Sequence, residues 1–525
     1  MSSRNLKRRD RDADSLSDVP VETGQPKKQK LGPSVSFANV LADMGKEEAE
    51  AGTGVQSWTR PSVKTETINR PIVFQYLDIE ESVTPDGEAT IRLFGCTKEG
   101  YSVLANVTEF LHYLYFPVPA GFKKSDIKPL TDHLNGLLPD PVVETIDMVR
   151  KRLTESRNPT DFLKISVSNP RMLSRLQDEL HCLCQYKGLF DTPEKTYEGS
   201  VNYTLRFMID MEIPGMSWIK VPVGKYSLST RKVSNCQIEF QVSYDDIEPL
   251  PVDGKWSEIA PLRILSFDIE AQPLGVQFPQ PGRDSVLQIA NMVTYHGADK
   301  PFLRTIFTLS SCLPIEGSEV FSYDTEEEML MAWKDFVIKV DPDVMTGYNI
   351  GRFDIPYLLL RAKKLQLDKF PFLGRLRGQT DSPSKVARMI TDWPDVPMLP
   401  GRVSLDIFHY ITTNYEFPPV SGARTLGAVS SRFLGQNKED IHFTMIAELQ
   451  NGTSESRQRL AIYCAKDAYL PQLLMDKLEC LEKRTEKARL EYVPINSLLN
   501  QEGLVEKSKS LRNALRDSRY PILYV

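Results

Sequence analysis

The stretch Leu262-Arg263-Ile264-Leu265-Ser266-Phe267-Asp268-Ile269-Glu270 constrains this chain more than any other. It reads as a β-strand, along which successive side chains point to opposite faces. Leu262, Ile264, Ser266, Asp268 and Glu270 share one face; Leu265, Phe267 and Ile269 share the other, which is apolar enough to bury. The first face ends in two carboxylates side by side. Adjacent like charges repel, so holding both ionised takes a compensating cation, and hard oxygen ligands suit Mg²⁺ or Mn²⁺. Taken alone, an Asp-x-Glu pair more often marks two exposed acids on a strand leaving its sheet. The rest of the chain decides between the two readings.

At 525 residues the chain has room for roughly three domains. A hydrophobic share of 41% and a charged share of 26% suit a soluble globular protein. No apolar run approaches the ~20 residues of a membrane span, so no membrane association is expected. The start, Met1 to Asp10, is charged and lacks a signal peptide's apolar segment. Of seven cysteines only Cys182 and Cys184 lie close together, a poor zinc site, and they read as reduced thiols of an intracellular protein. Six histidines count against an imidazole-run active site, and the net charge of −6 leaves nucleic-acid binding to a local basic surface.

Residues 1–54 alternate charge with Ser, Gly and Pro and are expected to form a disordered basic tail. Its clusters Lys7-Arg8-Arg9 and Lys27-Lys28-Gln29-Lys30 read either as nuclear-import or nucleic-acid patches or as solvated charge. Residues 55–260 read as an α+β domain. Ile91–Gly95, Tyr203–Ile209 and Cys236–Val242 are its expected strands, and Ser125–Leu138 and Met172–Leu180 carry helical spacing. Aromatic residues on its sheets are either core or a surface for stacking bases.

Over 261–480 strands alternate with helices, an α/β pattern. Ser285–Val293, Phe302–Leu309 and Asp343–Asn349 are further strands. Thr325 and Glu328 form a capping-box pair ahead of an apolar stripe, Met329, Trp333, Phe336, Val337 and Val340. Gly374–Pro400 reads as a loop or insertion whose Arg375, Arg377, Lys385 and Arg388 lie along a phosphate backbone or in solvent. The closing helix begins near Ser456, a charged helix spans Glu479–Arg489, and residues 481–525 are a helical tail whose last residues form no clear unit.

Two further segments supply acids. In Tyr348-Asn349-Ile350-Gly351-Arg352-Phe353-Asp354-Ile355-Pro356, Asp354 stands where a helix N-cap belongs, with Pro356 in the first turn. In Tyr463-Cys464-Ala465-Lys466-Asp467, the spacing of four puts Tyr463 and Asp467 on one helical face, and Pro471 is expected to bend the helix nearby. Asp268, Glu270, Asp354 and Asp467 together would tolerate one another around about two divalent ions, the arrangement of two-metal phosphodiester hydrolysis. Tyr463, an uncharged hydroxyl, would hold the attacking water, and Asn349 would reach the substrate or brace its loop.

Asp268-Ile-Glu270, Asn349-x-x-x-Phe353-Asp354 and Tyr463-x-x-x-Asp467, in this order, resemble the three exonuclease motifs of family B DNA polymerases. The segments Ile259–Glu270, Val340–Val344, Lys438-Glu439-Asp440, Leu449–Gly452 and Tyr463–Pro471 are similar to the eukaryotic replicative branch of that family, and Gly224-Lys225-Tyr226 and Ser234–Glu239 extend the likeness, which covers roughly Thr67–Leu499. The resemblance implies an oligonucleotide-binding-like part in the α+β domain, followed by a ribonuclease H-like 3′→5′ exonuclease domain. It implies metal binding by Asp268, Glu270, Asp354 and Asp467, water orientation by Tyr463, substrate contacts at Asn349 and Phe353, and two Mg²⁺ or Mn²⁺ ions. The implied partners are a DNA primer-template and its single-stranded 3′ end, in the nucleus.

The family's palm, fingers and thumb, which add nucleotides, and its cysteine-rich modules, which hold accessory subunits, have no counterpart in this sequence. Residues 481–525 differ from the entry to a palm. The expected activity of this chain is therefore proofreading hydrolysis, with a non-catalytic DNA- or replisome-binding fragment as the alternative. Smaller departures are Ala271, where relatives usually have Cys, the segment Gly422–Gly427, and the Gly374–Pro400 loop.

Overall fold

The computed structural model describes residues 36–50, 57–64, 70–84, 87–119, 121–153, 158–182, 195–272, 277–377, 399–436, 444–498, 502–516 and 521–522. The basic clusters before residue 31, Lys385, Arg388 and Lys438-Glu439-Asp440 lie outside these.

The apolar runs between residues 72 and 249 pair into two sheets. The first contains β1 (Ile72–Val83), β2 (Ala89–Thr97) and β3 (Ser102–Thr108), an antiparallel meander. With β7 (Trp218–Val221), β8 (Tyr226–Leu228), β9 (Ile238–Ser243) and β10 (Glu248–Pro249) it forms a seven-stranded sheet in the order β10-β7-β1-β2-β3-β9-β8. The second sheet holds β4 (His112–Pro117), β5 (Val143–Leu153) and β6 (Pro159–Val167), and the short β17 (Pro521–Ile522) pairs with β5, so Pro521 and Ile522 join a sheet where the sequence showed no unit. Helices Ile127–Leu137 and Leu173–His181 cover this sheet, Leu130, Leu134 and Leu176 packing on Leu114, Phe116 and Ile165. Phe74, Tyr76, Phe94, Phe116 and Phe162 are buried, so these sheet aromatics are core and not a stacking surface.

Tyr203–Ile209, expected as a strand, is instead the helix Tyr203–Asp210, capped by the Asn202 side chain, which accepts from the Leu205 amide. Tyr203, Leu205, Phe207, Met208 and Ile209 are all buried. A run buried on every side leaves no periodicity to tell a helix from a strand; the capping Asn was the usable signal.

The third sheet has the order β14-β13-β12-β11-β15-β16, built from β11 (Arg263–Ala271), β12 (Val286–Tyr295), β13 (Leu303–Leu309), β14 (Glu319–Tyr323), β15 (Val344–Gly347) and β16 (Val403–Asp406). β11, β12 and β13 run antiparallel, and β15 and β16 are parallel to β11 and to each other in turn. Leu265, Phe267 and Ile269 pack with the stripe Met329, Trp333, Phe336, Val337 and Val340 of helix Glu326–Val340 and with Ile355 and Leu358 of helix Asp354–Lys364. The opposite face is also covered: Leu262 and Ile264 meet Leu470 and Leu474 of helix Ser454–Lys477. Both faces of β11 are therefore buried at its start, and the acids come at its open end.

Residues 37–50, expected within a disordered tail, form the helix Phe37–Glu50. Phe37, Leu41 and Met44 are buried at i, i+4 and i+7 spacing, and Phe37 and Leu41 join Met292, Ile306 and Ala465 in one apolar cluster. Glu48 pairs with Arg304 at 2.6 Å and Glu47 pairs with Lys300. The stripe is one face of a short helix, too brief to show against a polar, charge-rich surrounding composition. Gly317 has φ +78°, and a Cβ there would meet the Leu41 carbonyl oxygen at 1.8 Å, so glycine permits the close approach.

Residues 55–260 and 261–480 meet across a buried charge network. Arg60 pairs with Asp341 at 3.0 Å and Asp343 at 2.7 Å; Arg375 pairs with the same two acids at 2.8 and 2.7 Å, and Arg402 with Asp341 at 3.0 Å. Arg375 is wholly buried, so it does not carry charge to a phosphate backbone. The segment around it looks like polar loop because its partners are remote in sequence. Arg377 is exposed and donates to Asn235 Oδ1. Asp78 accepts from the Gly401 amide and from Asn496 Nδ2, adding a second bridge. Residues Phe37–Val525 cluster as one compact unit.

Candidate active site

β11 ends with Asp268 partly exposed and Glu270 buried. Its parallel neighbour β15 ends at Gly347, where a Cβ would lie 2.6 Å from the Phe267 carbonyl oxygen. The chain then turns through Asn349, whose φ of +67° is left-handed, a conformation Asn tolerates better than most residues. The Phe353 and Arg352 amides both donate to the Asn349 carbonyl, and the turn delivers Asp354.

Asp354 is the first residue of helix Asp354–Lys364, preceded by Phe353 at the cap position, so it is not the N-cap expected from the sequence. Its carboxylate instead accepts from the Ile269 amide at 3.1 Å. The acid points at the strand end and leaves the helix without a side-chain cap. Phe353 lies edge-on to the exposed Phe278 at 5.2 Å and beside Tyr357 at 5.4 Å.

Helix Ser454–Lys477 crosses the same sheet. Thr453 caps it, Gln288 Nε2 donates to the Arg457 carbonyl, and Ser266 Oγ donates to the Ala468 carbonyl at 2.6 Å. That last bond fixes the neighbour of Asp467 against β11. Asp467 is buried, Tyr463 is half-buried one turn earlier, and the helix continues through Pro471 to Lys477.

Among the described residues, one group of at least three His, Cys, Asp or Glu has ligand atoms all within 4.8 Å of one another: Asp268, Glu270 and Cys464. Asp354 and Asp467 stand outside that trio but close enough for their charges to interact. Burial pushes the Asp354 carboxyl up to about 8; the Ile269 amide works against this, while the Asp406 and Asp467 carboxylates add to it.

Two residues of this region escaped the sequence reading. Cys464 Sγ lies 3.5 Å from the Asp268 carbonyl oxygen and 3.7 Å from its Oδ2. Burial first, then the charges of Asp268, Glu270 and Asp467, hold this thiol well above its ordinary pKa. It is a neutral donor to Asp268 and no rival to the oxygen ligands. Its helical position between Tyr463 and Asp467 was the available signal. Asp406 closes the apolar strand β16 and accepts from the Asn349 and Gly351 amides at 2.9 and 3.0 Å.

The sequence departures fall nearby. Ala271, the last residue of β11, is buried in the core. Thr425 caps helix Leu426–Leu434, and Tyr348 Oη donates to the Arg424 carbonyl, tying the Gly422–Gly427 segment to the loop that carries Asn349.

Residues 194–429 match the domain described as DNA polymerase family B, exonuclease domain. The DNA polymerase delta catalytic subunit of Schizosaccharomyces pombe is 40% identical over 501 residues, covering 91% of this chain and 44% of that protein. That of Candida albicans is 42% identical, covering 92% and 46%, and that of Glycine max 39% identical, covering 90% and 46%. The chain carries the exonuclease domain of the family B DNA polymerases. It spans about half the length of the curated relatives it matches, over their amino-terminal and exonuclease part. The structure of the family B DNA polymerase from the hyperthermophilic archaeon Pyrobaculum calidifontis has the same fold, with a TM-score of 0.63 over 85% of this chain and 50% of that one, at 23% identity. The mixed third sheet with helices on both faces is thus the ribonuclease H-like exonuclease domain of a family B polymerase. The matched span contains Asp268, Glu270 and Asp354; Tyr463 and Asp467 lie beyond it.

Proposed function

We propose that this family B chain hydrolyses nucleotides from the 3′ end of DNA in a metal-dependent, 3′→5′ proofreading reaction. The single observation that carries this reading is the bond from the Ile269 amide to Asp354, which brings the acid of a second segment to the strand end holding Asp268 and Glu270. The donor set fits divalent cations: carboxylate oxygens are hard ligands, and the raised Asp354 pKa is that of a carboxylate without compensating charge. Asp268, Glu270, Asp354 and Asp467 would hold two Mg²⁺ or Mn²⁺ ions, which supply an activated water and stabilise the leaving 3′-oxygen.

The chain's own residues do the rest. Cys464 donates to Asp268 and keeps its carboxylate oriented. Tyr463, one helical turn from Asp467, positions the attacking water through its hydroxyl. Asn349 and Phe353 hold the terminal nucleotide, and the ring of Phe353 offers a face for a base. The substrate is the single-stranded 3′ end of a primer-template in the nucleus, with the basic clusters before residue 31 serving import.

The test is degradation of 5′-labelled single-stranded DNA with Mg²⁺ or Mn²⁺. Asp268→Ala and Asp354→Ala should each abolish product while leaving the melting temperature near that of the wild type. Equal degradation by these variants would end the assignment. Retained DNA binding on filters without hydrolysis by the wild-type chain would favour the binding-fragment reading.

A further inference from the structure

We infer that Asp406 is a positioning residue for the nuclease site, acting as a two-oxygen bridge that sets the turn delivering Asp354. This rests on the proposed nuclease reading and assigns a role to an acid that reading does not use. Asp406 is the last residue of β16, opposite Gly347 in the register with β15. It is 3% exposed. Oδ1 accepts from Phe408 at 2.9 Å and His409 at 3.4 Å, which caps helix Ile407–Asn414, and also from the Asn349 amide at 2.9 Å. Oδ2 accepts from the Gly351 amide at 3.0 Å. One carboxylate therefore joins a helix start to both sides of a left-handed turn.

The consequence runs through the backbone. Asn349 at φ +67° is held by a bond to its own amide, and its carbonyl accepts from Phe353, the residue before Asp354. Without the Oδ2 contact, Gly351 is left with a buried N–H to satisfy elsewhere, at a cost that favours another turn geometry. Asp354 would then no longer reach the Ile269 amide, although neither residue touches Asp406.

A helix cap alone does not require an acid, because Asn caps as well as Asp. Asp406→Asn is thus the discriminating variant: it keeps one oxygen for the cap and turns an NH₂ toward the Gly351 amide. Asp406→Ser, which also caps, serves as a second variant should Asn disturb the fold. Loss of an outer partner of a metal ligand lowers metal affinity or activity by about 10–100-fold. The expected result for either variant is that fall in kcat for 3′-end hydrolysis, with a parallel fall in Mn²⁺ affinity by calorimetry and faster amide exchange at Gly351. Wild-type kcat and Mn²⁺ affinity in a folded Asp406→Asn chain would overturn the inference. Asp354→Ala is measured alongside: if it leaves Mn²⁺ binding intact, the nuclease reading fails instead.

Discussion

The amide of Ile269 donates to the carboxylate of Asp354 across 3.1 Å. The residue that separates Asp268 from Glu270 therefore also anchors the acid contributed by the second segment. Alternation along β11 makes this geometry available, because the backbone between two same-face side chains is free to meet a neighbour beyond the sheet end. The two acids of the strand and the acid of the helix are thus locked in one frame before any ion arrives.

The stability of the metal-free chain should depend on pH through Asp354. Its folded carboxyl is held up to about 8, against 3.8 ordinarily. A raised carboxyl pKa gives full stability below the unfolded value and loses it as pH rises through the window between the two, at up to about 1.4 kcal/mol per pH unit. Subtracting urea unfolding curves of Asp354→Asn from those of the wild type isolates this group. A difference that stays flat from pH 4 to pH 8 would contradict it. Excess Mn²⁺ should restore more stability at pH 8 than at pH 5.

Asp354→Asn and Tyr463→Phe should separate binding from turnover. The first is expected to match or exceed wild-type stability without metal, lose most of its thermal shift on adding Mn²⁺, and show no hydrolysis. The second should keep the Mn²⁺-induced shift and lose rate by about 10²-fold, the scale of a lost proton-handling or water-orienting group. Complete loss of Mn²⁺ binding in Tyr463→Phe would assign the hydroxyl to the metal site.

Arg375→Ala should destabilise the chain by about 3–5 kcal/mol in urea unfolding, the cost of leaving buried Asp341 and Asp343 short of a partner. Although burial alone would raise it, the guanidiniums of Arg375, Arg60 and Arg402 hold the Asp341 carboxyl below the usual range. A depressed carboxyl contributes stability that is present above its unfolded value and lost as pH falls below it, so this variant should also be less sensitive to acid. The salt dependence of single-stranded DNA binding should not change, since Arg375 faces no solvent.

Gly317→Ala should release helix Phe37–Glu50, because its Cβ would collide with the Leu41 carbonyl oxygen. Amide exchange over residues 37–50 would rise while the sheets stay protected. Leu41→Ala, which empties a fully buried position, should weaken the same docking by about 2–5 kcal/mol. Unchanged protection in Gly317→Ala would mean that the helix shifts without leaving.

Sequence reading recovered what short-range physics controls. The strand at 263–271 and the helix at 326–340 both announce themselves, through period and through the Thr325 cap. It missed features whose partners are distant. Arg375 looks like loop charge until Arg60, Asp341 and Asp343 surround it. Asp406 looks like a helix cap until the turn after β15 folds onto its second oxygen. Cys464 looks like one more apolar residue on a helix until β11 places Asp268 against it. The helix at 37–50 and the false strand at 203–209 share one cause, since tertiary burial decided both where local pattern was weak.

The network of Arg60, Arg375 and Arg402 around Asp341 and Asp343 also bears on how this protein can be cut or recombined. A chimaera joined at residue 260 would part Arg60 from Asp341 and Asp343 and leave the two buried acids to Arg375 and Arg402 alone. Swapping exonuclease domains between relatives therefore calls for exchanging Arg60 with them, although it lies some two hundred residues upstream of Asp268.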